Sequence, residues 1–282
     1  MRIVFAVLLA LSLAAPAAAQ SAGSLRARLP ERIQKAGIIT IGSDVSYAPV
    51  EFYKTGTDQV QGLDYDLARA LGAKLGVKVA FVNTTFDGII PALLADRFDI
   101  VMSAMNDTPE REKRIDFIDY FLAGSGILVR KGNPERIFSL ADLCGKTADA
   151  EKGTAQEHML AAQSAKCAAA HKPPITVLAL ATDTDALQQL KVGRSVAHVA
   201  DFPVAAFAAR LSGGLFEIVG KQYAVAPYGI GVRKDDRRLR DALQAALRAV
   251  IADGTYAKVL RSWDLPQGAL TSAAINGGAR YQ

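Results

Sequence analysis

The 282-residue sequence holds two cysteines, Cys144 and Cys167, and three scattered histidines, His158, His171 and His198. No zinc-type His/Cys spacing occurs, so no metal is expected. G-x-S-x-G, H-E-x-x-H and paired-cysteine motifs are also missing, which removes the common hydrolase signatures. Gly145-Lys146-Thr147 looks like the end of a phosphate-binding loop, but Leu140 stands where that loop needs its first glycine. Gly124-Ser-Gly126 and Gly229-Ile-Gly231 lack the third glycine of a dinucleotide fingerprint. No nucleotide or other cofactor is therefore expected. A one-signed charge is missing too. Lys and Arg total 33 against 28 Asp and Glu, a net +5, and the two signs are interleaved. That pattern is solvation rather than a nucleic-acid footprint. Long apolar runs are confined to residues 3–15, shorter than the ~20 residues that span a bilayer.

What is present suits a globular protein: half of the residues are hydrophobic and 22% are charged. At roughly 150 residues per domain, the length suits one large domain or two smaller ones. Met1-Arg2, the apolar run and Pro16-Ala-Ala-Ala-Gln20 read as a signal peptide over residues 1–19, cut after Ala19. The remainder is expected to be exported to a periplasm, without a lipid anchor because no cysteine follows the cut. In that oxidising compartment Cys144 and Cys167 are expected to pair. Loop-closure entropy assigns such a bridge roughly 3 kcal/mol.

After a polar leader (residues 20–35), hydrophobic periodicity alternates between two and 3.6. Strands are expected at 38–42, 77–82 and 99–103, separated by helices carrying Leu63, Leu67, Leu71 and Leu75, then Phe86, Ile89 and Leu93. Gly76 should stop the first helix. The alternation restarts with strands at 146–150, 175–180 and 196–200 and a helix at 185–192. Two α/β lobes follow: residues 36–130 and 222–265 for the first, 131–221 for the second. Strand 228–232 returns to the first lobe, with helices at 238–253 and up to Trp263. Residues 266–282, rich in Gly, Ser, Ala and Asn, are expected to form a flexible tail.

Candidate chemistry sits where strands end. Thr108-Pro109-Glu110-Arg111 is a strong helix start, with Thr as N-cap and Pro at the first helical position. Either Arg111 is solvated, or it and the Ser103–Asn106 loop offer a carboxylate a bidentate seat. Thr154-Ala-Gln-Glu157 reads as a capping box opening a helix whose amides favour an anion. Asp201 and Asp44 each follow a strand, as caps or as acceptors for an ammonium, and Tyr47 adds an aromatic surface. An Arg, an anion-seeking helix end and two carboxylates suit an α-amino acid zwitterion.

These residues lie within longer stretches: IGSDVSYAPVEF at 41–52, GLDYDL at 62–67, FDGIIPAL at 86–93, FDIVMS at 98–103, TPER at 108–111, DFIDY at 116–120 and GTAQE at 153–157. In order and spacing the chain resembles the family-3 periplasmic solute-binding proteins of polar amino-acid ABC transporters. The resemblance implies the type II periplasmic-binding-protein fold: two α/β lobes, each a mostly parallel sheet flanked by helices, with a two-strand hinge. It implies capture of an amino acid by domain closure and delivery, as a monomer, to a membrane permease with its own ATPase.

By position, Arg111 with the backbone of Asn106 and Ala155 is expected to hold the ligand α-carboxylate. Asp201 and the Ala104 carbonyl would hold the ammonium. Asp44 would meet the side chain, with Tyr47 and Leu63 packed along it and Thr154 at the anion-binding helix end. Three positions depart from the family's habit. Asn106 stands for Ser or Thr, Leu63 for an aromatic, and Ala155 lacks a hydroxyl. Glu151 faces the ligand side chain and, with Asp44, favours a cationic or amide amino acid. Two rivals share the scaffold: a cyclohexadienyl dehydratase using Glu151 or Glu157 as general acid, and a sensory module for a membrane receptor.

Overall fold

The computed structural model describes residues 25–281; the expected signal peptide lies outside them. The chain opens on helix α1 (Glu31–Ala36) and strand β1 (Ile38–Ser43). Short strands β2 (Ser46–Tyr47), β3 (Glu51–Tyr53) and β4 (Val60–Gln61) form a small antiparallel sheet. Helix α2 (Leu63–Leu75) buries Leu63, Leu67, Leu71 and Leu75 on one face and ends at Gly76, whose φ of 65° is the left-handed cap glycine tolerates. Then follow β5 (Lys78–Asn83), α3 (Ile89–Leu94), β6 (Ile100–Val101), α4 (Pro109–Glu112) and the long strand β7 (Ile115–Arg130). The next series is β8 (Thr147–Glu151), α5 (Ala155–Ala169), β9 (Thr176–Leu180), α6 (Asp183–Lys191), β10 (Ala197–Asp201) and α7 (Phe202–Leu211). A second long strand, β11 (Phe216–Arg233), leads to α8 (Arg237–Ala252) and α9 (Thr255–Ser262).

Eight strands hydrogen-bond in the order β5-β1-β6-β11-β7-β10-β8-β9. The β5, β1 and β6 ladders are parallel, as are those of β10, β8 and β9. Antiparallel β7 and β11 run between the two groups and pair along most of their length. Their register slips between Val219 and Tyr223 and again between Tyr223 and Ala226, so the ladder is weakest midway. Two cores flank that point. Ile118 and Phe121 of β7 pack with β1 and α2, whereas Ile127 and Val129 pack with Leu143, Leu160 and Val199. The side chains of β7 thus change core between Ala123 and Ile127, before the expected division after Arg130. Gly220 to Tyr223, expected as a break between the lobes, lie within β11, which runs through them where its register slips.

Cys144 and Cys167 are joined, with their Cα atoms 5.6 Å apart. The bridge ties α5 to the turn before β8.

Residues 266–281 depart from the expected flexible tail. The Gly277 and Gly278 amides donate to Asp119 Oδ2 (3.1 Å) and Asp107 Oδ2 (3.0 Å), and Asn276 Oδ1 accepts from Phe117 N at 2.8 Å. A Cβ on Gly278 would stand 2.2 Å from the Asp107 carbonyl oxygen, so these glycines serve close docking. The leader is anchored as well, because Leu25, Leu29 and Ile33 are buried in the first core.

Candidate ligand-binding site

Between the lobes lies a small cavity lined by twelve residues. From the first lobe come Asp44, Tyr47, Glu51, Phe86, Ser103, Ala104 and Asn106; from the second, Glu151, Thr154, Ala155, Gln156 and Asp201.

The first-lobe wall is built on strand ends. Asp44 follows β1 and accepts from Ser46 Oγ (2.6 Å) and Phe86 N (3.1 Å). Its own amide donates to Ser103 Oγ (2.9 Å), which in turn donates to Glu51 Oε1 (3.1 Å). Burial raises the Asp44 pKa, and the same cause, with Asp64 nearby, pushes Glu51 well above the carboxylate range. Ala104, after β6, holds a φ of 44°, a left-handed conformation that strains an alanine. The strain is compensated: the Ala104 amide donates to Asp64 Oδ2 at 3.1 Å, and Tyr120 Oη fixes the other oxygen at 2.7 Å.

The second-lobe wall combines a helix start with a strand end. Thr154 caps α5, its Oγ accepting from Glu157 N at 3.2 Å. Glu157 closes on the Gly153 amide (2.6 Å) rather than on that of Thr154, one residue off the expected capping box. Asp201 occupies the N-cap position of α7 but makes no capping bond. It turns across the cleft instead: Tyr47 Oη donates to Asp201 Oδ2 at 3.2 Å, and Gln156 Nε2 donates to Oδ1 at 2.8 Å. Burial raises Asp201 to about 7, against the opposing effects of nearby hydroxyls and Arg111.

Arg111 stands beside the cavity. Thr108 caps its helix as expected, accepting from Arg111 N at 3.3 Å. The guanidinium donates to Asn106 O at 2.9 Å in its own lobe and to Gly153 O at 3.2 Å in the other, over the Phe86 ring. Burial lowers its pKa to about 10, which still leaves it charged at neutral pH.

Of the expected ligand residues, Asp44, Tyr47, Ala104, Asn106, Glu151, Thr154, Ala155 and Asp201 line the cavity. Leu63, expected along the ligand, is instead fully buried in the first core. It belongs to the same buried α2 stripe as Leu67 and Leu71. Sequence reasoning passed over Glu51, Phe86 and Gln156, and took Ser103 only as the start of the Ser103–Asn106 loop. Glu51 carried a readable signal, a carboxylate in an otherwise apolar stretch beside Tyr47; Gln156 carried none, since a polar residue in a first helical turn is ordinary.

The lobes meet at several points besides Tyr47 and Arg111. Lys152 Nζ lies 2.9 Å from Asp87 Oδ2, and Thr184 Oγ1 donates to Ser46 O at 3.3 Å. Two α/β lobes joined by paired long strands, closed over an enclosed polar cavity, define a cleft-type solute-binding protein.

Comparison with known proteins makes this specific. The chain belongs to the bacterial extracellular solute-binding proteins, family 3, matching that family over residues 39–266. It is 33% identical to the arginine-binding protein ArgT of Corynebacterium glutamicum, over 89% of this chain and 82% of that protein. An ancestral arginine-binding protein, solved bound to arginine, superposes with a TM-score of 0.75 at 37% identity, covering 80% of this chain and 98% of that one. An ancestral arginine-binding protein solved bound to glutamine gives a TM-score of 0.74, also at 37% identity, covering 80% of this chain and 97% of that one. The ancestral amino acid-binding protein AncCDT-1, described as a precursor of cyclohexadienyl dehydratase, scores 0.75 at 38% identity, covering 83% and 98%.

Proposed function

We propose that this chain is the periplasmic binding component of an amino-acid ABC transporter, monomeric, and that it captures a cationic L-amino acid by closing its lobes. The observation that carries the reading is the charge of the cavity. Asp44, Glu51, Glu151 and Asp201 line it, and no Lys, Arg or His does so among the described residues. Four carboxyl groups buried together are costly to ionise unless cations meet them. A cationic amino acid brings two positive groups and one carboxylate. Asp201 and the Ala104 carbonyl would take its ammonium. Arg111, with three of its five N–H donors uncommitted, and the free amides opening α5 would take its carboxylate. Asp44 and Glu151 would face its side-chain cation. Relatives named for arginine support that class of ligand.

Closure follows from contacts made by both lobes, because a ligand shifts an equilibrium only by its differential affinity for the two states. The hinge would lie in β7 and β11 where their register slips, dividing the lobes near residues 124–126 and 220–225. The closed form would then be recognised by the membrane permease. No dehydratase chemistry is assigned: relatives such as ArgT carry the names of binding proteins, and AncCDT-1 is itself described as one.

Thermal shift on ligand-stripped protein, against all common amino acids plus ornithine, citrulline and prephenate, tests the proposal. A ligand at a hundredfold excess over Kd adds about 2.7 kcal/mol. Arginine, lysine, ornithine or histidine should give the largest shifts. Glutamate outranking them, or a shift with prephenate alone, would reject it.

A further inference from the structure

Asp44 and Glu151 reach into the cavity from opposite lobes, one after β1 and the other at the end of β8. They share that small cavity with each other, and carboxylates only accept, so a hydrogen bond between them needs a proton. Both residues are buried, at 3% exposure each, and Glu151 Oε1 has no partner. The other groups facing Glu151 are acidic: Asp183 at the start of α6, Asp201 at the end of β10 and Glu51 on β3. Nearby cations are engaged elsewhere. Lys152 pairs with Asp87, His198 lies between Asp149 and Asp183, and Arg111 donates to main-chain carbonyls. Two carboxyl groups buried in one cavity resist ionising together unless a cation joins them.

We propose that Asp44 and Glu151 form a proton-bridged pair that reads the ligand side chain: a cationic side chain displaces the proton, and an amide side chain is taken with the proton in place. The exchange balances. The Glu151 O–H bond breaks, its proton passes to bulk water, and the arriving guanidinium or ammonium supplies the positive charge; no other bond changes. Burial and the Asp44 charge push Glu151 to about 10, so the proton is held at neutral pH before a ligand arrives. The inference rests on the amino-acid reading above and goes beyond it by coupling ligand charge to proton release. It also allows one site to take both arginine-like and glutamine-like ligands.

The test is titration calorimetry of ligand-stripped wild type, E151Q and D44N with arginine and with glutamine, in phosphate and in Tris at the same neutral pH. The difference in heat between buffers counts protons. Asp201, proposed to meet the ligand ammonium, is raised to about 7 and loses a proton to either ligand, so the informative quantity is the release with arginine minus the release with glutamine. In wild type that difference should be close to one proton. In E151Q, which keeps the shape, it should vanish, and arginine affinity should fall at least ~10-fold (about 1.4 kcal/mol) further than glutamine affinity. D44N should also abolish the difference, which guards against a fault peculiar to one variant. Equal release with the two ligands in wild type, or an unchanged difference in E151Q, would overturn the pairing while leaving the transport reading intact. Failure of wild type to bind any amino acid would instead overturn both.

Discussion

Replacing Asp201 by Asn should move binding and stability in opposite directions. Asp201 is fully buried and accepts from Tyr47 and Gln156. Asn keeps the shape and one acceptor but removes the charge proposed to meet the ligand ammonium. A hydrogen bond to a charged group contributes about 1.5–3 kcal/mol, and unit charges 4 Å apart attract by about 4 kcal/mol at an effective dielectric near 20. A loss of about 2–4 kcal/mol corresponds to roughly 30- to 1,000-fold in Kd. The unliganded protein should respond the other way. The folded pKa is raised to about 7 from 3.8, so this group's contribution to stability is fully present below 3.8 and is lost as pH rises through 7. Above that range the ionised carboxylate destabilises the empty cleft, by on the order of 4 kcal/mol at most. D201N removes that cost. Calorimetry and thermal melts near pH 8 should therefore show a higher Tm without ligand and a much smaller Tm increase with it. An arginine affinity within threefold of wild type, in a folded variant, would refute the role given to Asp201.

Other perturbations probe the rest of the cleft. Arg111→Ala removes a guanidinium that joins Asn106 and Gly153 across the lobes and should weaken binding by at least about 2 kcal/mol; near-wild-type affinity by calorimetry would remove Arg111 from the site. Gly153→Ala should impede closure, since its φ is 78° and an added Cβ would stand 2.9 Å from Asp87 Cα on the opposite lobe. Small-angle scattering should then show no compaction at saturating ligand, and a wild-type radius change would count against it. Burial alone would lower the His198 pKa, but Asp183 and Asp149 outweigh it and raise the ring to about 10 from 6.5. Its stabilisation is full below pH 6.5 and is lost as pH rises through 10, so ligand-free Tm should fall across that window and His198→Gln should flatten the fall. A Tm profile identical in wild type and variant would show that His198 does not titrate there.

Much of this protein is written in local pattern. The α2 stripe, its Gly76 stop, the Thr108 and Thr154 caps and the alternation of strands with helices all depend on neighbours within a few residues, and each is legible as such. Arg111 and Asp201 were legible as candidates because they sit beside those local signals, at the ends of strands. Whether Asp201 caps its helix or crosses the cleft was not legible. Tyr47, 154 residues away, decides it. Long-range contact also places Leu63 in a core rather than on the cavity wall, and sets Glu51 and Ser103 into one hydrogen-bonded wall. Docking onto Asp107 and Asp119 orders a C-terminal segment whose composition reads as loose. Meeting of the lobes brings Glu151 and Asp44 into one cavity as well, a juxtaposition of two acids that no local pattern favours. Periodicity and capping are energies of nearby residues and survive in the sequence; the charge balance of a cavity is a sum over distant ones and exists only once the lobes have met.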